Sequence, residues 1–150
     1  MRRHYRGALV VDGIVLLGLC AVAAAVSISD GLPADWGKGF AGPLTLHSDP
    51  HDTLTGWLTW RGTGMAPPLV MLVVLGLSVV LAARSRRAGV VLLAILGAAA
   101  TVGYLGEPVT RRVLFTNFEP WKAVLVAAQV VCALGLVLLG GCVMRGSTEA

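Results

Sequence analysis

Charge is scarce in this chain, and so are the residues on which most catalytic chemistry depends. Asp, Glu, Lys and Arg together make up 13% of the 150 residues, about half of the ~25% found in ordinary soluble domains. An ordinary water-covered globular surface is excluded on that ground. Cysteine is confined to Cys20, Cys132 and Cys142, each inside an apolar run. Cys132 and Cys142 would stand about 15 Å apart along a helix, too far to bridge, and no polar stretch carries a thiol. A disulfide framework and a thiol–disulfide exchange pair are therefore both excluded. Glycine-rich phosphate loops, nucleophile elbows and paired-histidine metalloprotease motifs are missing. No apolar run holds a histidine pair suited to haem, so no cofactor is implied.

Apolar length is abundant. Hydrophobic residues reach 56%, mean hydropathy is +0.79, and four stretches stand out at about 8–28, 65–83, 88–105 and 121–144. Each approaches or exceeds the ~20 helical residues that cross a ~30 Å hydrocarbon layer. The expected fold is an all-α membrane protein, a single four-transmembrane-helix bundle over residues 1–150. Its outer loops fall at about 29–64 and 106–120. The basic start, the run Gly13–Val26 and the small residues Ala24, Ala25 and Ser27 also fit a signal peptide. The length of the run and a chain starting at Met1 favour a retained span.

The net charge of +4 is a topology signal and not a nucleic-acid footprint, because no basic stripe with interleaved aromatics occurs. Arg2, Arg3 and Arg6 precede the first run, Arg84, Arg86 and Arg87 separate the second from the third, and Arg145 follows the fourth. Basic residues near span ends stay on the cytoplasmic side, so both termini are predicted to be cytoplasmic. Of the nine aromatics, Trp36, Phe40, Trp57, Trp60, Tyr104, Phe115, Phe118 and Trp121 all fall on the other face, leaving Tyr5 inside. Ten arginines against two lysines, with much Ala, Gly and Val, point to GC-rich coding and a bacterial cytoplasmic membrane.

Local signals refine the layout. Asp49 as a cap, Pro50 as a first helical residue, Arg61 near the end and Gly62 as a stop predict a short amphipathic helix in the outer loop. Leu54, Trp57 and Leu58 share one side of it, and the helix is expected to lie flat on the membrane or to form a lid over the bundle. Pro67 and Pro68 are expected in the first turn of the second span. The third span is rich in small residues and is expected at the bundle centre. Pro108 is expected to stop or kink it at Glu107, and Pro120 to start the fourth.

Candidate functional residues follow from burial cost and chemistry. His47, Asp49 and His51 form a candidate metal set, although a helix cap and a solvated loop account for them more simply. Glu107, with Arg111, Arg112 and Glu119 nearby, is read either as an interface ion-pair cluster or as a catalytic acid–base or proton carrier. Asp12 either reaches back to Arg6 or Arg3 or forms an intramembrane ion site; its shallow depth favours the first. Trp36, Trp57, Trp60, Tyr104, Trp121 and the mid-span Gln129 are candidate ligand-binding residues in an aromatic cap. The leading expectation is a binding protein for a membrane partner protein or a lipophilic small molecule. The alternatives are a membrane enzyme using Glu107, with His47 or His51 assisting, and a proton-coupled exporter using Asp12, Glu107 and Gln129.

Overall fold

A computed structural model describes residues 2–32, 34, 53–58, 62–116 and 118–145. Six helices form among the described residues: α1 (Arg2–Ser29), α2 (Thr53–Leu58), α3 (Leu69–Ala83), α4 (Arg87–Gly106), α5 (Pro108–Phe115) and α6 (Pro120–Arg145). There are no strands among the described residues. Three of these helices, α1, α4 and α6, are long and apolar enough to cross a membrane. The protein is thus all-helical with at least three membrane-length elements.

The helix ends follow from local chemistry. At the end of α1, Gly31 takes φ +60°. Its N–H bonds the Ile28 carbonyl and that of Leu32 bonds Ser27, the bonding pattern of a glycine-terminated helix. Glu107, with φ −73° and ψ 121°, ends α4, because Pro108 disfavours helical geometry in the residue before it. Pro108 and Pro120 occupy first helical positions of α5 and α6, where a missing amide donor costs nothing.

The start of the second apolar run differs from expectation. α3 begins at Leu69 with Pro68 as its extended N-cap, so Met65–Pro68 lies outside the helix. Consecutive prolines explain this, since each pushes its predecessor out of the helical region. The fifteen residues of α3 span roughly 22 Å at the standard rise.

α1, α3, α4 and α6 pack as a square in that order, with α4 against α6 and α1 against α3 among its sides. Between lipid-facing apolar helices there is little hydrophobic drive, so close backbone approach carries the packing. Glycine permits it. A Cβ on Gly97 would lie 2.5 Å from the Ala133 carbonyl oxygen, and one on Gly140 would lie 2.8 Å from Ala94 Cβ. The small residues of α4 do bring it against two neighbours, but α4 occupies a corner diagonal to α1 and not a centre. Ile95, Val102 and Leu105 remain exposed on it.

A turn at Arg84–Arg86 reverses the chain between α3 and α4, with Ser85 at φ +62°, giving the expected antiparallel hairpin. That turn lies at the same end as the start of α1 and the end of α6. Residues 30–32, 34, 62–68, 106–116 and 118–119 gather at the opposite end. There the Gly64 N–H donates to the Leu32 carbonyl and the Thr110 hydroxyl donates to the Gly64 carbonyl at 3.4 Å.

Candidate functional site

Several buried polar residues, Thr63, Glu107, Thr110, Lys122 and Gln129, lie at the α5 end or just beneath it. Residues 62–66 form a plug, all buried, wedged among α1, α5 and α6. Gly64 must be glycine here, since a Cβ would come within 2.9 Å of Val109. Under the plug, Gln129 of α6 is fully buried. Its amide donates to the Met65 carbonyl at 3.3 Å and reaches Cys20 Sγ at 3.6 Å. Cys20 shares a 3.1 Å hydrogen bond with the buried Tyr104 hydroxyl. A mid-span amide, a thiol and a phenol thus tie α1, α4, α6 and the plug together.

Tyr104 and Gln129, expected to contact a ligand, are engaged in this internal network. Trp57 also turns inward. It packs against both apolar clusters of the bundle, while Leu54 and Leu58 stay exposed. The three residues were expected to share one side of a helix that lies flat on the membrane or lids the bundle; the structure splits them, and α2, with Thr53 and Gly56 buried, contacts α1 and α3. A cavity lined by Leu16, Cys20, Met71, Leu75 and Tyr104 holds about 10 Å³, room for roughly one water and far too little for a lipid-like ligand.

Glu107 sits at the joint between α4 and α5 and is 3% exposed. Its carbonyl accepts the Arg111 N–H, capping α5. Arg111 and Arg112 are exposed and neither forms an ion pair with it, so the expected Glu107–arginine cluster does not form. The reason is geometric. Glu107 is the N-cap of α5 with φ −73° and ψ 121°: its carbonyl starts the helix ladder, but its non-helical backbone turns the side chain inward while Arg111 and Arg112 face out.

No ion pair joins Asp12 to Arg6 among the described residues, and the side chain of Arg3, the other expected partner, lies outside them. The Asp12 carboxylate faces α6 and fills the space left by Gly135, where a Cβ would stand 2.5 Å from Oδ2.

A charge clasp that sequence reasoning missed joins the ends of α1 and α6. Lys122 Nζ lies 2.8 Å from Asp30 Oδ2 and 2.8 Å from Glu119 Oε2. It also lies 5.4 Å from the Trp121 ring centroid, within cation–π range. The hydrogen bond from Lys122 holds the Asp30 carboxyl below its ordinary range, with Ser29 adding a second bond. The signal was available: opposite charges close the first apolar run and open the fourth, at one predicted interface.

Trp121 is 53% exposed, and Phe115 and Phe118 are 81% and 65% exposed. These three form an uncovered apolar rim around α5. The remaining candidates, Trp36, Trp60, His47, Asp49 and His51, lie outside the described residues.

The fold and this end of the bundle define a helical protein with membrane-length elements, cross-tied by buried polar contacts and rimmed by exposed aromatics. Comparison with protein-family models, curated proteins and solved structures found no match.

Proposed function

We propose that the protein is a four-crossing membrane protein that acts by binding, recruiting a partner protein or lipophilic ligand to the rim at its α5 end. α3 is the fourth crossing in this reading. It supplies a lipid-facing stripe, Val70, Val73, Leu77 and Val80, all exposed at helical spacing. The plug residues ahead of it make up the length that a 22 Å helix lacks. Both termini and the Arg84–Arg87 turn are cytoplasmic and the α5 end faces outward, in a bacterial cytoplasmic membrane, because the arginines cluster at the turn end.

The observation that carries the binding role is the rim itself. Phe115, Phe118 and Trp121 are exposed while Tyr104, Gln129 and Lys122 beside them are committed to internal contacts. Large aromatic side chains held outward on a fixed platform are binding anchors. The test is purification in mild detergent followed by mass spectrometry of what is retained. Wild-type protein is expected to carry a defined partner or ligand that the triple change F115A/F118A/W121A loses. A bare monomer from both would contradict the proposal.

A second reading, acid–base chemistry by Glu107 on a lipophilic substrate, is favoured by one observation, the burial of this carboxylate at the mouth of the bundle. Under it, Glu107→Gln abolishes turnover of a membrane substrate while leaving retention of the bound ligand intact.

A further inference from the structure

We infer that α5 carries a binding site for the phosphate of an anionic phospholipid, formed by Arg111 and Arg112 and flanked by Phe115. This rests on the reading that the α5 end lies at the membrane surface, and it names the ligand class of the rim.

Placement comes first. α4 ends at Gly106 and α6 begins at Pro120, and both are membrane-length helices. α5 lies within the short connection 107–119 between those ends and contacts both α4 and α6, so it cannot stand far from the headgroup layer those ends define. It is also held firmly. Thr110 is fully buried and bonds the plug, and Val113 is buried beside it.

The opposite side of the same short helix is cationic and apolar together. Arg111, Arg112 and Phe115 are all exposed, and the phenylalanine follows the arginines at i+4 and i+3, so the three share one patch. Among the described residues neither guanidinium forms an ion pair. The described acids of this end are otherwise placed: Asp30 and Glu119 hold Lys122, and Glu107 is buried. Two adjacent guanidiniums without a carboxylate partner suit a phosphate diester, which arginine can grip through paired N–H donors. Phe115, with Phe118 and Trp121 further along the rim, supplies contact for the glycerol and upper acyl chain. Cation plus exposed aromatic on one face matches a lipid with an anionic head, better than the acidic segment of a soluble partner, which would leave the aromatics wet.

The experiment uses the full chain in lipid nanodiscs or mixed micelles holding equal amounts of phosphatidylglycerol and phosphatidylcholine. Native mass spectrometry reads which lipid stays bound. Wild type is expected to retain the anionic lipid preferentially, with each arginine contributing about fivefold, on the order of one surface charge's attraction. R111Q/R112Q is expected to lose that preference, while R84Q/R86Q at the opposite end keeps it. Excess free glycerol phosphate should leave retention unchanged if the occupant is a membrane lipid; displacement at low concentration would reassign the site to soluble phosphate and overturn the proposal. Equal retention of both lipids by wild type, or a preference unaffected by R111Q/R112Q, would also overturn it. So would loss of a copurifying acidic protein, instead of lipid, in that variant. Because the two arginines are exposed, circular dichroism should show the variant folded. If the arginine changes do nothing but F115A/F118A/W121A still strips a bound partner, the phosphate site fails and the binding role stands.

Discussion

Asp12 and Gly135 face each other across the seam between α1 and α6, and the fit leaves no space for a methyl group. Gly135→Ala should therefore destabilise the fold by about 1–3 kcal/mol, as overpacking does. Asp12→Ala in the same chain should recover most of the loss, a coupling that a double-mutant cycle of unfolding in detergent would read. Additive effects would mean the two residues do not meet. Tyr104→Phe removes the hydroxyl bonded to Cys20 and is expected to cost roughly 0.6 kcal/mol, the usual worth of a polar contact between membrane helices. Individual contacts of this kind were only partly legible in the sequence. That Gln129 would need a partner across a helix interface follows from its depth. That its partners would be Cys20 and the Met65 carbonyl depends on how the helices are rotated, which spacing along one helix does not specify. Pro108 placed the kink at Glu107 correctly, but a proline constrains backbone angles and leaves open where the preceding carboxylate points.

The close pairing of α4 with α6 depends on Gly97 and Gly140, so these helices should be the most sensitive to small-to-large changes. Gly97→Val is expected to lower stability by about 1–3 kcal/mol, because its nearest neighbour is the Ala133 backbone, which cannot move aside like a side chain. The hairpin turn behaves in the opposite sense. Ser85 holds a left-handed conformation that glycine adopts without steric cost, so Ser85→Gly should stabilise the protein by up to about 1 kcal/mol. A loss of stability there would mean that the serine side chain contributes something beyond the backbone turn. At this scale the sequence was most readable. Apolar length and prolines located the ends of α1 and α3 and both ends of α4 and α6 to within a residue, through forces that act within a few residues. The start of α3 was misplaced because a single proline fits a first turn, whereas Pro67–Pro68 in tandem excludes its predecessors. The corner position of α4 was missed for a different reason. Small residues reveal that neighbours come close, not how many there are or on which sides.

Across the whole molecule, the Asp30–Lys122–Glu119 clasp fastens the first long helix to the last. The folded Asp30 carboxyl is depressed below its ordinary value of 3.8, so its contribution is fully present above that value. It is lost as pH falls through the lower, folded value. Thermal unfolding followed from about pH 6 to about pH 3 should show an acid limb that Asp30→Asn lacks, and that salt weakens because the pair is partly exposed. An identical acid limb in the variant would assign it to other carboxyls. The clasp, the plug and α5 all gather at one end, while the arginine-rich turn, the start of α1 and the end of α6 lie at the other. Membrane orientation turns that division into a functional claim, and α3 is the element on which it depends, being shorter than the layer it is proposed to cross. The most direct test is a topology reporter fused after Arg87, scored with one partner active in the cytoplasm and one active outside. A cytoplasmic signal is predicted, with α3 passing fully through the bilayer and the aromatic rim facing out. An external signal would show that α3 does not cross or that the bundle is inverted, and either would put the proposed binding face on the wrong side of the membrane.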